Sequence, residues 1–274
     1  MSNPLHSIDP RAFFGSVGRH AQLIVELTKR EVVGRYRGSF MGLLWSFFYP
    51  VLMLAVYTFV FSVVFRARWH AGSDSKVEFA LALFAGLLFF NLFSECVTRA
   101  PSLIVGNVNY VKKVIFPLEL LPVVALGSAL FHFVVSLGVW LIFYLLFFGA
   151  PHPQLALLPL VLLPFLLMTL GLSWLLASLG VYLRDVTQVI GVVVTVLMFL
   201  SPLFYPIEAL PAAFRPWMAL SPLTYVIEQA RALMIWGQAM DWPAYGGWLA
   251  GSAVFAWLCF AWFQKTRKGF ADVL

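Results

Sequence analysis

From Phe40 to Phe65 the chain runs for 26 residues without a charged side chain. A helix rises about 1.5 Å per residue, so such a run exceeds a hydrocarbon core of roughly 30 Å and asks for a bilayer rather than a globular core. Apolar runs of comparable length recur from Phe79 to about Val97, Leu120 to Phe148, Leu155 to Leu183 and Tyr245 to Phe263. A sixth, Val186 to Leu200, is also uncharged. The whole chain agrees: 62% of its 274 residues are hydrophobic and 11% charged, where a soluble domain has roughly 45–50% and about 25%. The expectation is an all-α integral membrane protein with six transmembrane helices.

The sixth run does not end as a membrane helix should. Pro202, Pro206, Pro211, Pro216 and Pro222 follow it at intervals of four to six residues, and each removes a backbone donor and clashes with the preceding turn. The intervening pieces, Leu203 to Leu210 and Phe214 to Leu220, are apolar but too short to span. Irregular backbone is tolerated at membrane depth only where protein buries it or water receives its free polar groups. Two readings stay open: re-entrant segments at the mouth of a pathway, or an apolar loop on the headgroups.

Charge sets the orientation. Thirteen Lys and Arg fall on one side of a six-span layout: Arg11, Arg19, Lys29, Arg30, Arg35 and Arg37 before the first span, Arg99, Lys112 and Lys113 after the second, Arg184, and Lys265, Arg267 and Lys268 at the end. Arg66, Arg68, Lys76, Arg215 and Arg231 fall on the other. The positive-inside rule places the majority, with both termini, in the cytoplasm. Net charge +6 and a pI near 9.5 therefore indicate orientation, not nucleic acid. No apolar run with a cleavage site precedes residue 39, so no signal peptide is expected. Leu23, Ile24 and Leu27 share a helix face, which predicts either an interfacial helix or a solvated basic anchor.

Other features carry less. Glu95, near the end of the second run, either marks the cytoplasmic boundary or lines a cavity. His132 lies within the third run, which offers no carboxylate for a proton relay, so a packing contact is expected. Gly38 and Gly42, and Gly247 and Gly251, have GxxxG spacing. Cys96 and Cys259 both fall in or beside apolar runs, as small hydrophobes do. Glu228 to Asp241 reads as a polar connection.

The chain lacks an engine. It has no G-x-x-x-x-G-K-[ST], no H-E-x-x-H and no G-x-S-x-G, and almost no intramembrane carboxylates such as proton-driven carriers keep. Aromatics are plentiful at 17%. Amphipathic rings suit a passage for sugars, which present apolar C–H faces ringed by hydroxyls. Tyr49, Tyr57 and Phe61 fall roughly on one face of the first span, and Phe199, Phe204 and Tyr205 cluster where the run from Val186 to Leu200 breaks. Lipid-facing belts are the competing reading for each ring.

Five blocks in order, RYRGSFMGLLWSFFYPVLML (35–54), NVNYVKKVIFPLELLPV (107–123), LRDVTQVIGVVVTVLMFLSPLFYP (183–206), SPLTYVIEQAR (221–231) and KGFADVL (268–274), resemble the ABC-2 type permeases that export polysaccharides such as O-antigen, capsule and teichoic acid chains. The resemblance implies a permease in the bacterial inner membrane that moves a lipid-linked glycan. It implies a homodimer with two separate ATPase subunits, which hold ATP and Mg, so this chain binds no cofactor and is not itself an enzyme. The implied layout is a cytoplasmic segment over 1–39 with an interfacial helix, and a transmembrane domain over 40–266. Its spans lie near 40–65, 79–97, 120–148, 155–183, 186–201 and 245–263, its coupling loop at 99–117 and its re-entrant segment at 202–226, before a cytoplasmic tail over 267–274.

By the same resemblance Tyr49, Tyr57, Phe61, Phe199, Phe204 and Tyr205 line the channel. Asn109, Tyr110, Lys112 and Lys113 contact the ATPase, and Glu26, Arg30, Arg35 and Arg37 serve the cytoplasmic gate or the lipid phosphate, which an arginine fork binds bidentately. The alternatives are an ABC-2 exporter of lipids or small hydrophobic compounds, and a membrane glycolipid transferase, for which only lone acids such as Glu95, Asp185 and Glu208 are available.

Overall fold

The computed structural model describes residues 9–60, 69, 75–112 and 116–274. Among them no strand occurs. The helices are α1 (Pro10–Arg19), α2 (Ala21–Tyr36), α3 (Trp45–Tyr57), α4 (Lys76–Arg99), α5 (Ser102–Val105), α6 (Val108–Lys112), α7 (Leu120–Phe148), α8 (Leu158–Tyr182), α9 (Val186–Leu200), α10 (Arg215–Ala219), α11 (Pro222–Met234), α12 (Trp242–Thr266) and α13 (Phe270–Val273). Among the described residues five stretches are long and apolar enough to cross a membrane: Gly42–Val60, Lys76–Arg99, Leu120–Phe148, Pro153–Tyr182 and Trp242–Val273. α9, with 15 residues, reaches about 22 Å, short of a hydrocarbon core of roughly 30 Å.

Helix starts follow local chemistry. Asp9 caps α1, its carboxylate accepting from the Arg11 N–H at 2.9 Å with Pro10 in the first turn. Ser75 caps α4 by accepting from the Glu78 N–H at 3.2 Å, and Ser and Glu three apart are the capping-box spacing. Asp241 does the same for α12 through Ala244 at 3.0 Å. α11 ends ahead of Gly237, whose φ of +59° favours glycine and where a Cβ would also stand 2.7 Å from His152. The connection expected from Glu228 is therefore helical as far as Met234.

α4 is the axle. It is apolar on every side from Phe79 to Phe90, and such a helix belongs in the interior; α3, α7, α8, α9 and α11 surround it. Trp140 of α7, fully buried, donates its indole N–H to the Leu81 carbonyl of α4 at 3.1 Å. α8 and α12 touch backbone to backbone at Gly171, where a Cβ would lie 2.8 Å from Ala256 Cα. This is the small-residue kind of contact that a GxxxG spacing can allow. Gly38 and Gly42 instead take positive φ in the turn before α3, and Gly247 and Gly251 have nothing within 4 Å of a built Cβ.

The proline-broken segment is held by one arginine. Arg231 of α11 is fully buried, although its place in a polar sequence suggested an exposed charge. It donates to the carbonyls of Ala82 at 2.8 Å, Pro202 at 2.5 Å and Leu203 at 2.9 Å, pairs with Glu228 at 2.9 Å, and lies 4.1 Å from the ring centre of Trp69. Two of those carbonyls are ones the break at Pro202 sets free. Burial pulls the guanidinium down to about 10, with Glu228 working the other way, so it stays cationic at neutral pH. Gly86 makes the room, since a Cβ there would lie 2.5 Å from Arg231 Nη2.

At the other end of α4 a second core joins Phe13 of α1, Tyr110 of α6, Trp174 of α8, Phe263 of α12 and Phe270 of α13. Glu119 is its polar centre: it pairs with Arg267 at 2.6 Å, and its carbonyl accepts from Trp174 at 3.0 Å. The C-terminal residues are thus packed into the body. Cys96 and Cys259 are buried and free.

Candidate functional site: a charged mouth over an aromatic cavity

α2 lies along α7 because Gly127 permits it; a Cβ there would stand 2.9 Å from the Thr28 hydroxyl. This brings the last turn of α2 over a cavity of about 650 Å³ whose walls are α3, α4 and α7. Tyr49 and Tyr57 of α3 line it, with Asn91 and Glu95 of α4 and His132 of α7.

The mouth is closed by a crossed set of ions. Glu31 and Arg35 on α2, and Glu95 and Arg99 on α4, are each four apart and so share a helix face. Arg35 Nη2 donates to Glu95 Oε1 at 2.5 Å, and Arg99 returns an ion pair to Glu31. Each helix thus gives the other one cation and one anion, and the set is neutral. His132 Nδ1 stands 3.0 Å from Glu95 Oε2, and its Nε2 lies 3.1 Å from the Tyr36 hydroxyl. With its proton on Nδ1, the ring donates to Glu95 and accepts from Tyr36. Burial raises the Tyr36 hydroxyl above the ordinary phenol value, against the nearby Arg35, so it remains a donor at neutral pH.

Two sequence expectations change here. Glu95 lines the cavity as well as standing one turn from the end of α4. His132 does have a carboxylate partner, which comes from another helix. Reasoning within one span missed it. The signal was present in the repeated Glu-x-x-x-Arg spacing at 31–35 and 95–99.

The other predicted residues fall as follows. Tyr57 is half-buried with its ring centre 6.4 Å from that of Phe204, and Phe204 is 6.0 Å from Phe199. The Tyr205 hydroxyl donates to the Phe199 carbonyl at 2.9 Å. Phe199, Phe204 and Tyr205 are outside the cavity wall, where Tyr49 and Tyr57 stand. Phe61 and Lys113 lie outside the described residues. Arg30 and Tyr110, expected in separate groups, meet: the guanidinium donates to the phenol oxygen at 3.1 Å, and Tyr110 stacks on Phe116 at 4.6 Å. Lys112 Nζ donates to the Leu274 oxygen at 2.5 Å. Asn109, Glu26 and Arg37 are exposed.

Comparison with known proteins places this arrangement. The chain is 31% identical over 252 residues to the "O-antigen export system permease protein RfbA" of Myxococcus xanthus, covering 91% of this chain and 94% of that one. It is 24% identical over 262 residues to a protein of the same name from Klebsiella pneumoniae, covering 94% and 97%. Residues 22–235 match the family described as ABC-2 type transporter. With several membrane-length helices around a cavity and a family match over most of its length, the chain belongs to the ABC-2 type transporter family as a membrane-embedded permease.

Proposed function

We propose that the chain is the permease of an ATP-driven exporter that moves a lipid-linked polysaccharide, of O-antigen or capsular type, out of the cytoplasm. The observation that carries this reading is the near full-length similarity to two O-antigen export permeases, joined to a cavity that sets arginines at its mouth above tyrosines on its wall. Arg35 and Arg99 match the diphosphate or phosphate of a glycolipid head, and the Tyr49 and Tyr57 rings match a sugar chain. Two copies form the channel, with α3 and α9 toward the seam: both leave long apolar faces uncovered in the single chain, among them Leu52, Val56, Val192 and Val196. α9 completes its crossing with the irregular residues after Leu200, and 202–226 is a re-entrant periplasmic segment.

Two ATPase subunits in the cytoplasm hold ATP and Mg and dock on α6 and the exposed side of α2, where Arg30 and Tyr110 tie the two together. This chain holds no cofactor of its own. It sits in the inner membrane with both termini in the cytoplasm. The test is export of lipid-linked glycan by the permease reconstituted with its ATPase. Tyr49→Leu with Tyr57→Leu is expected to lower glycan export about tenfold while the assembled complex still hydrolyses ATP. Absence of glycan export by the reconstituted wild type, or export without any ATPase subunit, overturns the reading; unimpaired glycan export by the variant takes the sugar chain off Tyr49 and Tyr57.

A further inference from the structure

The two arginines at the mouth that suit a phosphate already hold anions of the same chain. Arg35 of α2 donates to Glu95 of α4, and Arg99 of α4 pairs with Glu31 of α2. A carboxylate offers a guanidinium fork the same pair of oxygens as a phosphate does. Glu31 and Glu95 therefore stand where the oxygens of an arriving head would stand.

The geometry is that of an exchangeable hold. The arginine side chains are the more open partners: Arg35 is 38% exposed against 17% for Glu95, and Arg99 31% against 24% for Glu31. A guanidinium carries five donors, so an anion can meet its open edge before the acid lets go, and no bare charge forms in between. Glu95, once released, keeps His132 Nδ1 at 3.0 Å. Glu31 lies on a largely exposed helix and can turn to water. Two carboxylates leave the arginines in this exchange, so a head with two negative charges keeps the set neutral.

The hold is also weak enough to yield. Ion pairs as exposed as these shift an equilibrium by about two- to fivefold each. Val32 is the one fully buried residue of α2; the helix packs along α7 and reaches α4 through the ion pairs. While the acids occupy the arginines, the last turn of α2 stays drawn over the cavity, with Arg35 and Tyr36 on its wall. We propose that Glu31 and Glu95 are built-in competitors for a phosphate-bearing lipid head: they occupy Arg35 and Arg99 and keep the mouth covered until a head displaces them. That the displacing anion is a lipid head rests on the export reading above; the competition itself does not.

The test is equilibrium binding of tritiated farnesyl diphosphate to the permease with its ATPase subunits in phosphatidylcholine nanodiscs, with saturating ADP filling the nucleotide sites. Glu31→Gln with Glu95→Gln is expected to tighten binding about tenfold, the product of two such pairs. Glu31→Asp with Glu95→Asp keeps both charges and shortens both reaches. Competition tightens binding there too, by about threefold, whereas a general repulsion of the anion leaves it unchanged. Arg35→Gln with Arg99→Gln is expected to abolish binding. Elution with the ATPase subunits checks the folding of every variant. Binding no tighter in the glutamine pair, no tighter in the aspartate pair, or retained without the arginines overturns the proposal. So does displacement of the label by inorganic pyrophosphate as readily as by unlabelled farnesyl diphosphate, which would make this a free-anion site, or by farnesol, which would make it a site for the tail. Tightened binding in a complex that exports no glycan defeats the export reading and leaves the competition standing. Glycan export without any tightening defeats the competition alone.

Discussion

Replacing Arg231 with leucine tests whether one guanidinium holds the broken segment against α4. The substitution leaves the Pro202 and Leu203 carbonyls without their donor, each at about 1–3 kcal/mol. Ala82 keeps its helical partner and loses only a second bond. The contact with Trp69 adds about 0.5–2 kcal/mol. Against this, the buried charge no longer carries its desolvation penalty, which is several kcal/mol. Glu228 remains 29% exposed and can turn to water, so it adds little. The net loss expected is about 3 kcal/mol, the low end for removing one partner of a buried pair. For a chain of this size that corresponds to a melting point lower by roughly 10 °C.

The assay is the apparent melting midpoint of the purified permease in one detergent at a fixed scan rate, because unfolding of such proteins is commonly irreversible. Arg231→Lys keeps the charge but not the fork, so it should fall between wild type and leucine. Gly86→Ala should resemble it, because the new Cβ would reach within 2.5 Å of Nη2. A leucine variant that melts within 2 °C of wild type, or a lysine variant that melts below the leucine variant, refutes the reasoning.

Three further outcomes follow from the geometry. The crossed ion pairs are partly exposed, Arg99 at 31% and Glu31 at 24%, so a double-mutant cycle of Arg99→Gln with Glu31→Gln should give a coupling of only about 0.5–1 kcal/mol in thermal unfolding; zero coupling would remove the latch between α2 and α4. Gly180→Ala should weaken the joint between α8 and the start of the 101–112 segment by about 1–3 kcal/mol, because its Cβ would overlap the Pro101 carbonyl at 2.1 Å; an unchanged midpoint would show that the segment yields freely. Trp140→Phe keeps the ring and loses the bond to Leu81, which should lower stability by about 1 kcal/mol, and a neutral result would mean that water or another donor reaches that carbonyl.

The order of amino acids alone dictated the membrane, the apolar helices and the break after Leu200, because each follows from properties local to the chain: a long uncharged run has no other solvent, and a proline cannot donate. It also supplied the family, through five blocks in order. What it could not reveal were partnerships between helices. Arg231 stands in a polar stretch and reads as exposed, yet its donors meet carbonyls that lie 149, 29 and 28 positions away. His132 lacked a carboxylate within its own span and received one 37 positions away. The physical reason is range. Hydrophobic periodicity and proline sterics act within a turn or two, whereas a buried polar group is matched across whatever helix packing brings near, and that is decided only when all of them assemble around α4.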